Sequence, residues 1–147
     1  MPETIQFYRQ GDAYGQLSNF AGYPVEVDGK WWPTTEHYYQ AQKFAGTPYA
    51  EEIRRAPGPG RAAQLGRDHR MPLRADWETV RDEVMMQALR AKFTQHPALK
   101  ALLQGTGDAI LVEHTRNDFY WGDGGNGKGK NMLGVLLMRL REELLHG

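Results

Sequence analysis

The chain is 147 residues long, about one domain's worth, with 18 Lys+Arg against 18 Asp+Glu and 40% hydrophobic residues. This balance excludes a disordered tail and gives no global reason to coat a nucleic-acid duplex, although a local basic groove stays open. No cysteine is present, which excludes a disulfide scaffold, a thiolate metal centre and a cysteine nucleophile.

The first twelve residues, MPETIQFYRQGD, lack the basic-then-apolar layout of a leader, and no run approaches the ~18 apolar residues of a membrane span. A cytoplasmic protein without membrane contact is expected. Alternation of polar and apolar residues over 4–8 predicts a strand, and Gly11 to Gly15 a turn. Residues 23–27 and 30–32 flank Asp28-Gly29, a strong two-residue hairpin signal. Pro33-Thr34-Thr35 then opens a helix that runs to about Phe44, and a shorter helix follows over 50–55. Pro57-Gly58-Pro59-Gly60 is the clearest break, but the residues before it are too few and too irregular for a separate domain. Further helices are expected over 61–67, 76–94 and 97–103, then a short buried strand over 109–113. A polar glycine-rich loop spans 115–130, and Leu133, Leu136, Leu137, Leu140 and Leu144 mark a final amphipathic helix. The expected fold is α+β: one helix-rich domain over 1–147, with short N-terminal strands and one later strand.

Two constellations could carry chemistry. On the helix 35–44, Glu36, Gln40 and Lys43 fall in one narrow sector at 100° per residue, flanked by Tyr39. Tyr38, Ala41 and Ala45 form the opposite, core-facing side. The competing reading is a solvated helix face, but Glu36 and Lys43 are two turns apart, too far for the usual i,i+4 ion pair. The second constellation is the stretch from Asn117 to Asn131, with five glycines, Asp118, Asp123, Lys128 and Lys130. Lying between a strand and a helix, it has the setting of an anion-binding loop. It is not a nucleotide-triphosphate P-loop, because Gly129 and Asn131 stand where Ser or Thr would hold magnesium. Phe119-Tyr120-Trp121 argues against a merely solvated loop. The five histidines show no metal-ligand spacing, so no metal is expected, and His37 lies off the Glu36 stripe. Together these groups suit an anionic, planar, sugar-containing ligand: indoles stack on a base, lysines hold phosphate and a carboxyl group moves a proton.

The segment Trp32-Pro33-Thr34-Thr35-Glu36-His37-Tyr38-Tyr39-Gln40-Ala41-Gln42-Lys43-Phe44 resembles the YbiA-like family, also called NADAR. The resemblance continues through Asn19-Phe20, Gly66-Arg67-Asp68, Leu73-Arg74-x-x-Trp77, Leu111-Val112-Glu113-His114-Thr115, Tyr120 to Gly125 and Gly127 to Gly134. It implies an N-glycosidase that cleaves the ribose C1–N bond of early riboflavin-pathway intermediates and releases ribose 5-phosphate. Other members of the family remove ADP-ribose from guanine in nucleic acid. On this reading Glu36 is the acid/base, and Lys43 either anchors phosphate or forms a Schiff base with the opened sugar. Trp77 and Trp121 are stacking walls. Asp123, Asn117 or Asp118 holds ribose hydroxyls or water, with Asp123 counted among the catalytic groups. Lys128, Lys130 and Asn131 receive the 5′-phosphate, and Asn19 and Phe20 join the substrate site. No cofactor is required. The partner is a phosphorylated ribosylamine, with nucleic acid as the alternative. A non-catalytic ADP-ribose or nucleotide binder is the reading from another class.

Overall fold

The computed structural model describes residues 2–146. In chain order the elements are β1 (Thr4–Phe7), β2 (Val25–Val27), β3 (Lys30–Trp32), α1 (Thr35–Gln42), α2 (Pro48–Arg54), α3 (Pro59–Gly66), α4 (Trp77–Gln95), α5 (Pro97–Gly105), β4 (Ile110–Glu113) and α6 (Met132–His146). The fold is therefore α+β and helix-rich. Two compact units are built, one from Met1–Ala21 with His96–Gly147, the other from Gly22–Gln95. Pro57 to Gly60 falls inside the second unit, where Pro59 occupies the first turn of α3.

In the first unit β1 and β4 pair in parallel, Ile5 opposite Leu111 and Phe7 opposite Glu113. β1 alternates strictly, turning Ile5 and Phe7 inward. β4 is only half-buried rather than wholly buried: Leu111 is inside, whereas Ile110 is 41% exposed. A two-stranded sheet covered on one side by α6 has one apolar face, so alternation is its natural pattern. The leucines of α6 at 133, 136, 137 and 140 form its buried side. Gly134 lets α6 approach β4, because a Cβ there would collide with the Leu111 carbonyl oxygen.

In the second unit the β2–β3 hairpin turns on Asp28 (φ 54°) and Gly29 (φ 80°), the two positive φ values a type I′ turn needs. α1 packs against α2, α3 and α4. Seven of its eight residues are buried, including the polar Glu36, His37 and Gln40. A surface helix with one wet face is thus not what forms. The helix also ends at Gln42, with Lys43 as its cap, so Ala45 is exposed and Phe44 takes its expected place in the core.

Candidate active site

The Thr34 hydroxyl caps α1 by accepting the His37 backbone N–H at 3.2 Å. The same hydroxyl meets His37 Nδ1 at 2.8 Å, and Nε2 lies 3.0 Å from the Ala56 carbonyl. A carbonyl only accepts, so Nε2 carries the proton and Nδ1 accepts from Thr34. Burial pushes the His37 pKa down, opposed by the bond to Ala56. His37 is a neutral structural brace that sets the rotation of α1.

That rotation places Glu36, Gln40 and Lys43 together. Glu36 is 9% exposed, which overturns the solvated-face reading. Gln40 Nε2 donates to Glu36 Oε2 at 2.8 Å. Lys43 Nζ donates to the Gly66 carbonyl at 3.2 Å and lies 5.7 Å from the centre of the Tyr39 ring. Burial lowers the Lys43 pKa; the charge of Glu36 pulls it back up and that of Arg67 pushes it further down. A desolvated lysine beside a carboxylate is the arrangement from which a neutral amine nucleophile is made.

Lys43 opens onto a pocket of about 220 Å³, lined among others by Gly66, Arg67, His69, Leu73 and Trp77. This is smaller than the ~300–1,000 Å³ of sites that enclose a whole drug-sized ligand, so it takes one ring or one phosphosugar segment. Trp77 packs on Tyr39 at 5.2 Å with the rings tilted by 57°, and is itself buried, so it serves as a wall rather than an open platform. Arg67 and His69 bring exposed basic side chains to the pocket rim. Sequence reasoning assigned them no chemistry. Arg67 was marked only by the Gly66-Arg67-Asp68 motif and His69 by nothing; both reach the pocket because the chain between α3 and α4 turns back past Lys43, where Arg74 N–H donates to the Lys43 carbonyl.

The glycine-rich segment of the first unit is built differently from the expected anion loop. The backbone N–H groups of Lys130, Asn131, Met132 and Leu133 donate to the carbonyls of Phe119, Gly122, Tyr120 and Trp121. The first two N–H groups of α6, those of Met132 and Leu133, are thereby already satisfied and do not point freely at a phosphate. Lys128 and Lys130 remain exposed cations, with Lys130 Nζ 5.6 Å from the Tyr120 ring. Asn131 (φ 54°) is stitched to β4: Oδ1 accepts from Glu113 N–H and Nδ2 donates to the Leu111 carbonyl, each at 2.9 Å. Asp118 Oδ1 accepts from the N–H groups of Tyr120 and Trp121, and Trp121 sits edge-on to Tyr120. Asn117 is exposed at φ 68°. Asn19 is buried just before the partly exposed Phe20.

Asp123 is 5% exposed and accepts from His114 Nδ1 at 2.9 Å and from Gly125 N–H at 2.8 Å. Burial would raise its pKa, but these bonds hold it below the ordinary carboxylate value. An ionised Asp123 accepts from His114 and so fixes a proton on Nδ1. His114, side chain 42% exposed, is a pairing that metal-spacing rules could not find, because its partner lies nine residues on in the loop. Among the described residues, no group of three or more His, Cys, Asp or Glu side chains could hold a metal, and no helix is long and apolar enough to cross a membrane.

The NADAR domain family matches residues 6–145. The chain is 62% identical to the N-glycosidase YbiA of Escherichia coli (strain K12) over 145 residues, covering 98% of this chain and 91% of that one. It is 44% identical over 144 residues to a riboflavin biosynthesis protein of Vibrio vulnificus, covering 98% of this chain and 39% of the longer protein. The NMR structure of E. coli YbiA superposes with a TM-score of 0.91 at 60% identity, over 99% of this chain and 88% of that one. By its match over nearly its whole length, the chain belongs to the NADAR domain family, as an enzyme of the glycosidase type.

Proposed function

We propose that this enzyme hydrolyses the ribose C1–N bond of ribosylaminopyrimidine phosphates, the early intermediates of riboflavin biosynthesis, in the cytoplasm. The observation that carries the reading is the stripe of buried Glu36 and Gln40 with half-buried Lys43 on the rim of a pocket. The name of the Vibrio relative, a riboflavin biosynthesis protein, supports the choice of substrate class.

Glu36 serves as acid/base, protonating the leaving pyrimidine nitrogen or taking a proton from water. Net, one water is split: its oxygen bonds C1, the C1–N electron pair goes to the departing nitrogen, and that nitrogen gains a proton. Ribose 5-phosphate and an aminopyrimidine result. Lys43 acts in one of two ways. Its ammonium holds an anionic oxygen, or its neutral amine attacks C1 of the ring-opened sugar, expels the pyrimidine amine and is released when water hydrolyses the new imine. Trp77 walls the substrate. Lys128 and Lys130 contribute side-chain charge for the 5′-phosphate. Asp123 acts through His114, since its own oxygens are engaged.

The test is product analysis on two substrates side by side, a ribosylaminopyrimidine 5′-phosphate and an ADP-ribosylated guanine oligonucleotide. Release of ribose 5-phosphate from the first and no turnover of the second is the expected result. Turnover of the second alone would replace the substrate, and tight binding without products would leave a binding module.

A further inference from the structure

Gly66 is the last residue of α3. It does not use the positive-φ conformation open to glycine, and glycine is a poor helix former. Its reason is space. The three atoms that a Cβ at position 66 would meet first all belong to Gln40: Oε1 in collision, Cδ at 2.7 Å and Cβ at 3.0 Å. Gln40 is buried, and withdrawing its amide from position 66 would disturb the bond that the amide makes to Glu36. Its Nε2 faces Glu36, while Oε1 faces Gly66 and is buried without a hydrogen-bond partner. Rotating the amide would set two acceptor oxygens against each other, so the orphan oxygen is the consequence of keeping the donor on the carboxylate. The other functional group of Gly66, its carbonyl, lies at a helix C-terminus, where it lacks an intrahelical donor. It accepts Lys43 Nζ instead.

We propose that Gly66 is a positioning residue for catalysis: its bare α-carbon seats the Gln40 amide that fixes the Glu36 carboxylate, and its carbonyl fixes the Lys43 amine. One backbone position thus sets the register of both ends of the stripe. The proposal rests on Glu36 and Lys43 carrying the reaction.

The experiment uses the full chain and a ribosylaminopyrimidine 5′-phosphate, with kcat, KM and Tm measured for Gly66→Ala, Gln40→Met, Gln40→Ala, Glu36→Gln and the doubles Gly66→Ala/Gln40→Ala and Glu36→Gln/Gln40→Met. Misplacing Glu36 should lower kcat by roughly 10–100-fold in Gly66→Ala and in Gln40→Met, with KM changed less than about threefold. In the Gln40→Ala background, Gly66→Ala should cost far less in kcat and Tm, because the collisions with Oε1 and Cδ are gone and only the 3.0 Å contact with the Cβ of residue 40 is left. That double keeps the test readable if Gly66→Ala alone does not fold. In the Glu36→Gln background, Gln40→Met should add no further loss. An unchanged kcat in Gln40→Met, or an equal Gly66→Ala effect with and without the Gln40 side chain, overturns the proposal and leaves the Glu36 reading intact. Near-normal turnover of Glu36→Gln removes that reading, and this proposal with it.

Discussion

Lys92 lies near the end of α4, 1% exposed, with its ammonium 5.8 Å from the Tyr23 ring centre and 5.3 Å from that of Phe93. Burial pushes its pKa down from 10.5 to about 7. Between these values the unfolded chain binds a proton that the folded protein lacks, so stability must rise with pH across the window and fall as pH drops toward 7. One proton corresponds to about 1.4 kcal/mol per pH unit, or roughly 2–3 kcal/mol from pH 7.5 to 9.5. Lys43 has the same sign. Tyr38, raised to about 12, has the opposite sign above pH 10, where the unfolded state loses its phenolic proton first. Comparison with Lys92→Met below that pH isolates the Lys92 contribution. Urea unfolding at pH 7.5, 8.5 and 9.5 should show the wild type gaining roughly 2–3 kcal/mol more than Lys92→Met. The variant should be more stable at pH 7.5 by about 1–4 kcal/mol. Parallel pH profiles for the two proteins would refute the claim that Lys92 is forced neutral by burial.

Three further outcomes are expected. Asn131→Ala removes two bonds to β4 and puts a residue less tolerant of the left-handed region than asparagine at φ 54°. It should therefore cost about 2–4 kcal/mol in thermal or urea unfolding, with Asn131→Gly recovering roughly 1 kcal/mol. An unchanged Tm with a raised KM would make Asn131 a ligand contact. Borohydride added during turnover should trap a sugar adduct that peptide mass analysis maps to Lys43 if its lowered pKa serves imine formation, and activity should then fall as pH drops through that pKa. A fully active Lys43→Arg would leave only the electrostatic role. Lys130→Ala should raise KM for the phosphorylated substrate by roughly 10-fold while barely changing it for the dephosphorylated one, and equal losses would remove the phosphate assignment.

What the sequence made legible was local. Asp28-Gly29 specifies its turn through two adjacent residues, and the leucines of α6 specify their face by spacing. The angular stripe of Glu36, Gln40 and Lys43 followed from helix geometry alone. Its burial did not, because polar residues read as solvated unless the helices that enclose them are known, and α2, α3 and α4 come later in the chain. The parallel pairing of β1 with β4 joins strands far apart in sequence and leaves no local trace. The glycine loop is a related case. Its glycines suggested open N–H groups, but the loop folds back so that carbonyls of 119–122 take up the N–H groups of 130–133. The basic rim of the pocket, Arg67 and His69, sits between two helices whose amphipathic patterns say nothing about what the connection faces.

The role of Glu36 is tested most directly by Glu36→Gln. The substitution keeps the side-chain shape and removes the titrating carboxyl group beside Gln40 and Lys43. With ribose 5-phosphate release as the readout and substrate binding measured in parallel, kcat should fall by roughly 10²–10⁴ while binding persists. A folded Glu36→Gln enzyme that releases ribose 5-phosphate at the wild-type rate would contradict the assignment of the chemistry to this stripe.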